Sequence, residues 1–343
     1  MPQRVVQLAT EVSGLATEKL QAIEDVADRT QMLAINARIQ AAHAGDRGAA
    51  FAVVAEEVGD VARHVRELSS GLTEELTPRV EEIDALGRHL VEQVPGQRAA
   101  DLALNAVELI DRNLYERSCD VRWWATDSAM VDACADPQDA VRAQHASRRL
   151  GVILAAYTVY VDLWVADRDG TVIAHGRPDR HPGVAGSSVA DASWFQRAMA
   201  TPDGDAYVVD DITRLPALAD APVATYATAV RAGGESRGEP IGALGIFFDW
   251  GPQAQGIVEG LRLSDEERER TRAMLVDADG LVLAASDGQG ILEERFRIAT
   301  DGRESGFYGE RDRIVGFAHT PGYETYAGLG WYGVLVQRRK DVA

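Results

Sequence analysis

Two cysteines, Cys119 and Cys134, are all the thiols the 343 residues hold, too few for a disulfide framework or a four-thiolate metal site. Cations are also scarce: 35 Lys and Arg stand against 54 Asp and Glu, a formal net charge of −19. A phosphate-binding surface needs clustered Lys and Arg, so this balance argues for no nucleic acid and against docking on an anionic membrane. Long apolar runs are missing too. The most apolar stretch, Leu150 to Ala166, is broken by Asp162 and falls short of the roughly 20 residues a bilayer helix needs. No charged-then-apolar leader opens the chain. The expectation is a cytoplasmic protein with no membrane insertion. The histidines, among them His43, His64, His89, His175 and His181, lack ligand spacing for zinc, and His175 and His181 read as a chance pair in one loop. No Walker loop is present, and Cys119-Asp-Val-Arg-Trp-Trp124 reads as helix packing. The expectation is no enzyme, no metal and no cofactor.

Aromatics and glycines are nearly absent from one part of the chain. Residues 1–95 hold one aromatic of 22, Phe51, and 6 of the 32 glycines. Ala, Glu, Val, Leu and Arg dominate there, the composition of long helices. The remainder carries β-branched runs, aromatics and turn residues, the material of sheets. Pro95-Gly96 marks the break between two domains.

Apolar spacing in the first part is heptad-like. Phe51, Val54, Val58, Val61, Val65, Leu68 and Leu72 alternate steps of three and four, placing them on one seam. A matching series runs Val12, Ala16, Lys19, Ile23, Val26, Thr30, Leu33, Ala37. Between them lies Gly45-Asp46-Arg47-Gly48, where both glycines can take the positive φ of a tight reversal. The pattern predicts an antiparallel helical hairpin with arms of about 65 Å. One hairpin leaves an apolar stripe uncovered, so two pair as a four-helix bundle in a homodimer. Pro78 is expected to kink or interrupt the second arm.

The run from Ala34-Ile35-Asn36 through His43-Ala44-Gly45-Asp46-Arg47-Gly48 to Ala55-Glu56-Glu57-Val58 closely resembles the hairpin tip of methyl-accepting chemotaxis proteins, over about residues 20–70. The resemblance implies a tip that contacts the chemotaxis histidine kinase and its coupling protein. It places Asn36, Gln40, His43, Val53 and Val54 on interaction faces and Asp46 at the turn. The family usually carries Glu where Gln40 stands, Arg where His43 stands and an apolar residue where Asp28 stands. The pairs Glu56-Glu57, Glu74-Glu75 and Glu81-Glu82 read as solvated helix faces rather than adaptation sites.

The second part contains a repeat. Leu163-Trp-Val-Ala-Asp-Arg-Asp-Gly170-Thr-Val-Ile-Ala174 lines up with Ala273-Met-Leu-Val-Asp-Ala-Asp-Gly280-Leu-Val-Leu-Ala284, each an apolar strand, an Asp-x-Asp-Gly turn and a second strand. The calcium alternative fails because an EF-hand loop needs further ligands and a closing Glu. Ahead of the repeat, Leu102, Val107, Ile110 and Leu114 stripe a long helix, and Pro137 separates another. A long helix feeding two strand-rich modules resembles the double Cache sensors of bacteria, over about residues 100–340. That resemblance implies a pocket for an unknown small molecule in the first module, framed by Trp194, Phe195, Arg197, Tyr207, Asp210, Tyr226, Thr228 and Asp249. The amino-acid-binding subclass has Arg where Ala192 stands and Tyr where Ser187 stands, so amino acids held in that manner are disfavoured.

The expected fold is α+β in two parts: residues 1–95 a signalling hairpin turning at 45–48, 96–157 the sensor's N-terminal helices, 158–260 a first PAS-like Cache module and 261–343 a second. The expected function is a soluble chemoreceptor-like transducer that shifts between two packings without catalysis. The alternatives are a scaffold or decoy in receptor arrays with an empty structural pocket, and a dimeric ligand-sensing regulator of a separate output enzyme.

Overall fold

The computed structural model describes residues 2–339. Residue 1, which opens the first expected segment, and residues 340–343, which close the last, lie outside it. The described chain divides between Pro95 and Gly96 into two compact units.

The first unit is a helical hairpin. Helix α1 (Pro2–His43) is followed by a single 3₁₀ turn over Gly45–Gly48 and by α2 (Ala49–Trp124), which continues into the second unit. The reversal uses its two glycines differently from the expectation. Gly45 takes φ +58°, but Gly48 does not adopt positive φ. Gly48 is required for space, because a Cβ there would stand 2.1 Å from the carbonyl oxygen of Ala41.

The expected seam is corrected as well. The hairpin buries small residues at seven-residue intervals: Ala27, Ala34 and Ala41 on α1, then Gly48, Ala55, Ala62 and Ser69 from the turn onward. The bulky series stays largely exposed, with Val54 at 59%, Val61 at 57% and Leu68 at 56%. Small side chains let two helix backbones approach closely, so the arms interlock through them and leave the Val/Leu stripe outside. Asp28 of α1 forms an ion pair with Arg66 of α2 across the hairpin. The expected interruption at Pro78 does not occur, and neither Pro78 nor Pro95 ends the helix. A proline inside a helix costs about 3 kcal/mol, but it deletes one amide donor locally. The helix-favouring residues on either side carry the ladder on.

The second unit holds the end of α2, then α3 (Ser128–Ala135) and α4 (Ala140–Ala156), with Pro137 between them as expected. Strands β1 (Tyr160–Asp167), β2 (Val172–His175), β3 (Val208–Leu215), β4 (Ala221–Arg231) and β5 (Pro240–Asp249) form one antiparallel sheet in the order 2-1-5-4-3. Helix α5 (Ser193–Met199) lies between β2 and β3 in sequence, and α6 (Trp250–Glu259) and α7 (Asp265–Arg268) follow β5. Strands β6 (Thr271–Val276), β7 (Val282–Ala285), β8 (Ser305–Gly309), β9 (Arg313–His319) and β10 (Tyr332–Arg338) repeat the order as 7-6-10-9-8.

The repeated turns have one mechanism. Asp167 Oδ1 accepts the amides of Asp169 and Thr171 at 3.0 and 2.8 Å, and Asp277 Oδ1 accepts those of Asp279 and Leu281 at 2.8 Å each. Each carboxylate satisfies its own turn, and Gly170 and Gly280 follow at positive φ.

A single apolar core joins the inner faces of both sheets to α2, through Val107, Ile110, Leu114 and Val121. The contact is intimate at Gly333, where a Cβ would stand 2.0 Å from the Ala103 carbonyl oxygen. Buried polar groups fix the helix in place. Asp120 accepts from Tyr160 of β1 and pairs with Arg117, while Asp111 accepts from the Thr320 hydroxyl and the Gly322 amide at the end of β9. The outer face of each sheet has its own core, around Trp164, Trp194 and Phe247 in the first and Phe317 and Val334 in the second.

Candidate functional site

Opposed residues of an antiparallel pair share a face, so the register sorts the expected site residues. Thr225 lies opposite both Asp210 and Phe247, and Val223 opposite Asp249. Those residues therefore share the outer face of the first sheet with Trp164 and Phe247, and α5 adds Trp194 and Phe195 to it. Tyr226 lies opposite Val209 and Ile246, and Thr228 opposite Leu244, on the inner face covered by α2. The eight residues thus fall on two faces of one sheet.

On the outer face Trp194 and Phe195 are buried, with ring centroids 6.0 Å apart, and Trp194 stands 6.0 Å from Phe247 edge to face. Phe247 in turn lies 4.3 Å from Trp164. Arg197 and Asp210 pair with each other, and the Arg197 guanidinium also donates to the Val209 carbonyl at 2.7 Å. Asp249 is half-buried, and burial raises its carboxyl pKa against the opposing pull of Arg180 and Arg177.

On the inner face the Tyr226 ring is fully buried, stacked 6.2 Å from Tyr207, and its hydroxyl donates to that of Tyr326 at 3.3 Å. Burial pushes the Tyr226 hydroxyl far above its ordinary pKa, so it stays protonated. Arg122 of α2 sits 5.5 Å over the Tyr207 ring. Thr228 donates to the Ala206 carbonyl at 2.7 Å. These three residues join module one to α2 and to the loop of Tyr326.

Sequence reasoning missed the most buried polar group of the outer face. Asp162 of β1 is wholly buried and accepts four hydrogen bonds: from the Leu163 amide at 2.8 Å, the Gly176 amide at 3.0 Å, Trp164 Nε1 at 3.1 Å and His175 Nδ1 at 2.8 Å. His175 and His181 are also buried, and the Nε2 atom of each has no partner. The available signal was a lone Asp in an apolar strand facing a His on the next one.

The hairpin tip presents all six expected residues to solvent: Asn36, Gln40, His43, Asp46, Val53 and Val54. His43 Nδ1 donates back to the Ile39 carbonyl at 2.9 Å, which turns the ring along its own helix. The acidic pairs of α2 are exposed. No helix among the described residues is long and apolar enough to cross a membrane.

The family model described as the methyl-accepting chemotaxis protein signalling domain matches residues 3–108, and that described as the Cache domain matches residues 87–343. The methyl-accepting chemotaxis protein CtpL of Pseudomonas aeruginosa is 38% identical over 95 residues, 28% of this chain and 14% of its own length. The biofilm dispersion protein BdlA of the same species is 37% identical over 93 residues, 27% of this chain and 21% of its own. The chain thus spans a small part of the curated relatives it matches. Among solved structures, the sensor domain of the histidine kinase DctB of V. cholerae superposes with a TM-score of 0.50 at 13% identity, covering 68% of this chain and 92% of that one. The ligand-binding domain of the amino acid chemoreceptor PctC of P. aeruginosa, solved with GABA, gives 0.50 at 17% identity, covering 68% and 94%. At these identities the likeness concerns the fold.

Proposed function

Because the chain belongs to the Cache domain family and carries a chemoreceptor signalling domain ahead of its sensor, we propose that it is a dimeric signal transducer. In this reading a small molecule binds on the outer face of the first sheet, and the hairpin contacts the chemotaxis histidine kinase and coupling protein. In this reading residues 158–260 form the ligand-binding module and residues 261–343 the second module.

The observation that supports it most is the division of labour in the hairpin. The arms already pack through Ala27, Ala34, Ala41, Ala55 and Ala62, so the exposed stripe of Val54, Val61, Leu68 and Leu72 is free for another copy. Each such side chain, fully buried, returns about 1.5–3 kcal/mol, enough in sum to hold a four-helix bundle. Signal passage requires no chemistry, only a ligand with different affinity for two packings of α2. The inner-face linkage supports α2 as the recipient, since Asp120 and Arg122 meet module one and Asp111 meets module two.

Sedimentation equilibrium on the full chain at micromolar concentration is expected to give a dimer, and a monomer would remove the basis of the reading. A metabolite library screened by thermal shift is expected to yield a ligand that Asp210→Asn weakens. One observation favours the scaffold reading: Trp164, Trp194 and Phe247 fill the outer face with protein side chains. A library with no stabilising compound, together with recruitment to receptor arrays, would establish that alternative.

A further inference from the structure

The strand ends of the second sheet carry a charge pattern that folding alone does not need. Arg338 at the end of β10 lies opposite Arg313 at the start of β9. On its other side the ladder continues just ahead of β6, where the Arg270 carbonyl accepts the Arg338 amide at 2.9 Å. Opposed residues share a face, so three arginines stand in one row across three neighbouring strands, and Arg272 follows on the same face two residues after Arg270. Like charges directly opposite one another destabilise a sheet. Cations are scarce in a chain of net charge −19, so composition does not account for such a row.

The protein's own carboxylates answer only part of it. Arg272 pairs with Asp287 and Glu294, and Arg313 pairs with Glu310. Among the described residues Arg270 and Arg338 have no carboxylate partner. Arg270 Nη1 donates to the Arg338 carbonyl at 2.7 Å, and Arg338 Nη2 donates to the Glu269 carbonyl at 3.3 Å. A guanidinium has five N–H donors, so both keep capacity in reserve, and Arg270 Nε is buried without a partner. The row borders a groove of about 880 Å³, to which α6 adds Val258 and Glu259 and α7 adds a fifth cation, Arg268.

We propose that this groove is an anion site of the second module, in which Arg270 and Arg338 take a compact, doubly charged oxyanion, the phosphate group of a small molecule or the free ion. A phosphate presents enough oxygens and charge to engage two guanidinium forks at once, whereas a single carboxylate fills one. The groove is not simply basic, because Glu259, Glu269, Asp287 and Asp312 line it too. Capture therefore depends on short-range donation from the forks rather than on a broad positive field. Those four acids also bar a polyanion or a charged membrane, whose outlying charges would meet them. A bound oxyanion supplies the counter-charge that the opposed arginines lack.

The test is calorimetry on the full chain in Tris buffer at pH 7.5, with inorganic phosphate, glycerol 3-phosphate and acetate as probes. It is repeated with Arg270→Gln, Arg338→Gln and, as a remote control, Arg148→Gln on the exposed side of α4. At least one phosphate probe is expected to bind while acetate does not. Arg270→Gln and Arg338→Gln are each expected to weaken that binding about tenfold, and Arg148→Gln to leave it unchanged. Tighter binding of glycerol 3-phosphate assigns the site to an organic phosphate, and equal or tighter binding of inorganic phosphate assigns it to the free ion. Arginine Nε–H NMR on the wild-type chain, which no folding defect of a variant affects, is expected to shift the Arg270 signal with phosphate and not with acetate. Binding of neither phosphate probe, equal binding of acetate, or phosphate binding indifferent to both substitutions overturns the assignment. None of these results bears on the module-one reading, which concerns the other sheet.

Discussion

Glu267 shows how much one side chain settles at the joint between α2 and the start of module two. Its carboxylate closes a capping box with Ser264 and receives Arg98 Nε of α2 at 2.9 Å. The Arg98 hydrogen bond holds its pKa down at about 2, against an ordinary 4.5. A carboxyl lower in the folded than in the unfolded state stabilises the fold fully above pH 4.5 and loses that contribution as pH falls toward 2. Glu267→Gln is therefore expected to lower the melting temperature at pH 7 and to have progressively less effect in melts taken at pH 4 and pH 3. An equal effect at every pH would mean that packing, not charge, matters there. At this scale the sequence was readable where a residue serves its own neighbours. The Asp167 and Asp277 turns close within four residues, so their spacing discloses them. Asp162 is different, because its partners His175 and Gly176 arrive from the next strand and only register brings them together.

In the hairpin, hydrophobicity marked the residues that need burial but not the surface that buries them. The Val and Leu series was plain in the sequence, whereas the Ala and Gly positions that bring the arms together carry little apolar signal of their own. Both heptad series run side by side on α2, at Ala55 and Ala62 against Val54, Val58 and Val61. Ala55→Leu is expected to force the arms apart and destabilise the hairpin by about 1–3 kcal/mol, measured as an earlier loss of helical circular dichroism. Val58→Ala is expected to leave that melt nearly unchanged at high protein concentration and to raise the dimer dissociation constant. If Val58→Ala disturbed the hairpin itself while Ala55→Leu did not, the assignment of the two faces would be reversed. The sheets illustrate the opposite case, since strand alternation and paired turns carried their repeat, and the common strand order follows from it. What composition could not show was which face of β3 and β4 each residue takes. Tyr226 and Thr225 are adjacent in sequence, yet one meets α2 and the other faces the opposite side.

Over the whole molecule, one sequence joins a hairpin with an unused apolar stripe to a sensor whose inner core is built on the same helix that forms the hairpin's second arm. The order of these parts was legible because their compositions differ so sharply. The consequences of the tip's departures, Gln40, His43 and Asp28, depend on partners and so lie beyond the single chain. The proposed function turns on this hairpin working as a chemoreceptor tip. Co-sedimentation of the full chain with a chemotaxis histidine kinase and coupling protein from the same source tests it most directly, with Asn36→Asp and Asp46→Ala as controls. A pelleted ternary complex is expected, which both substitutions weaken while the chain stays folded and dimeric. A folded dimer that leaves kinase and coupling protein in the supernatant would contradict it, and would assign the hairpin to dimerisation on behalf of another output.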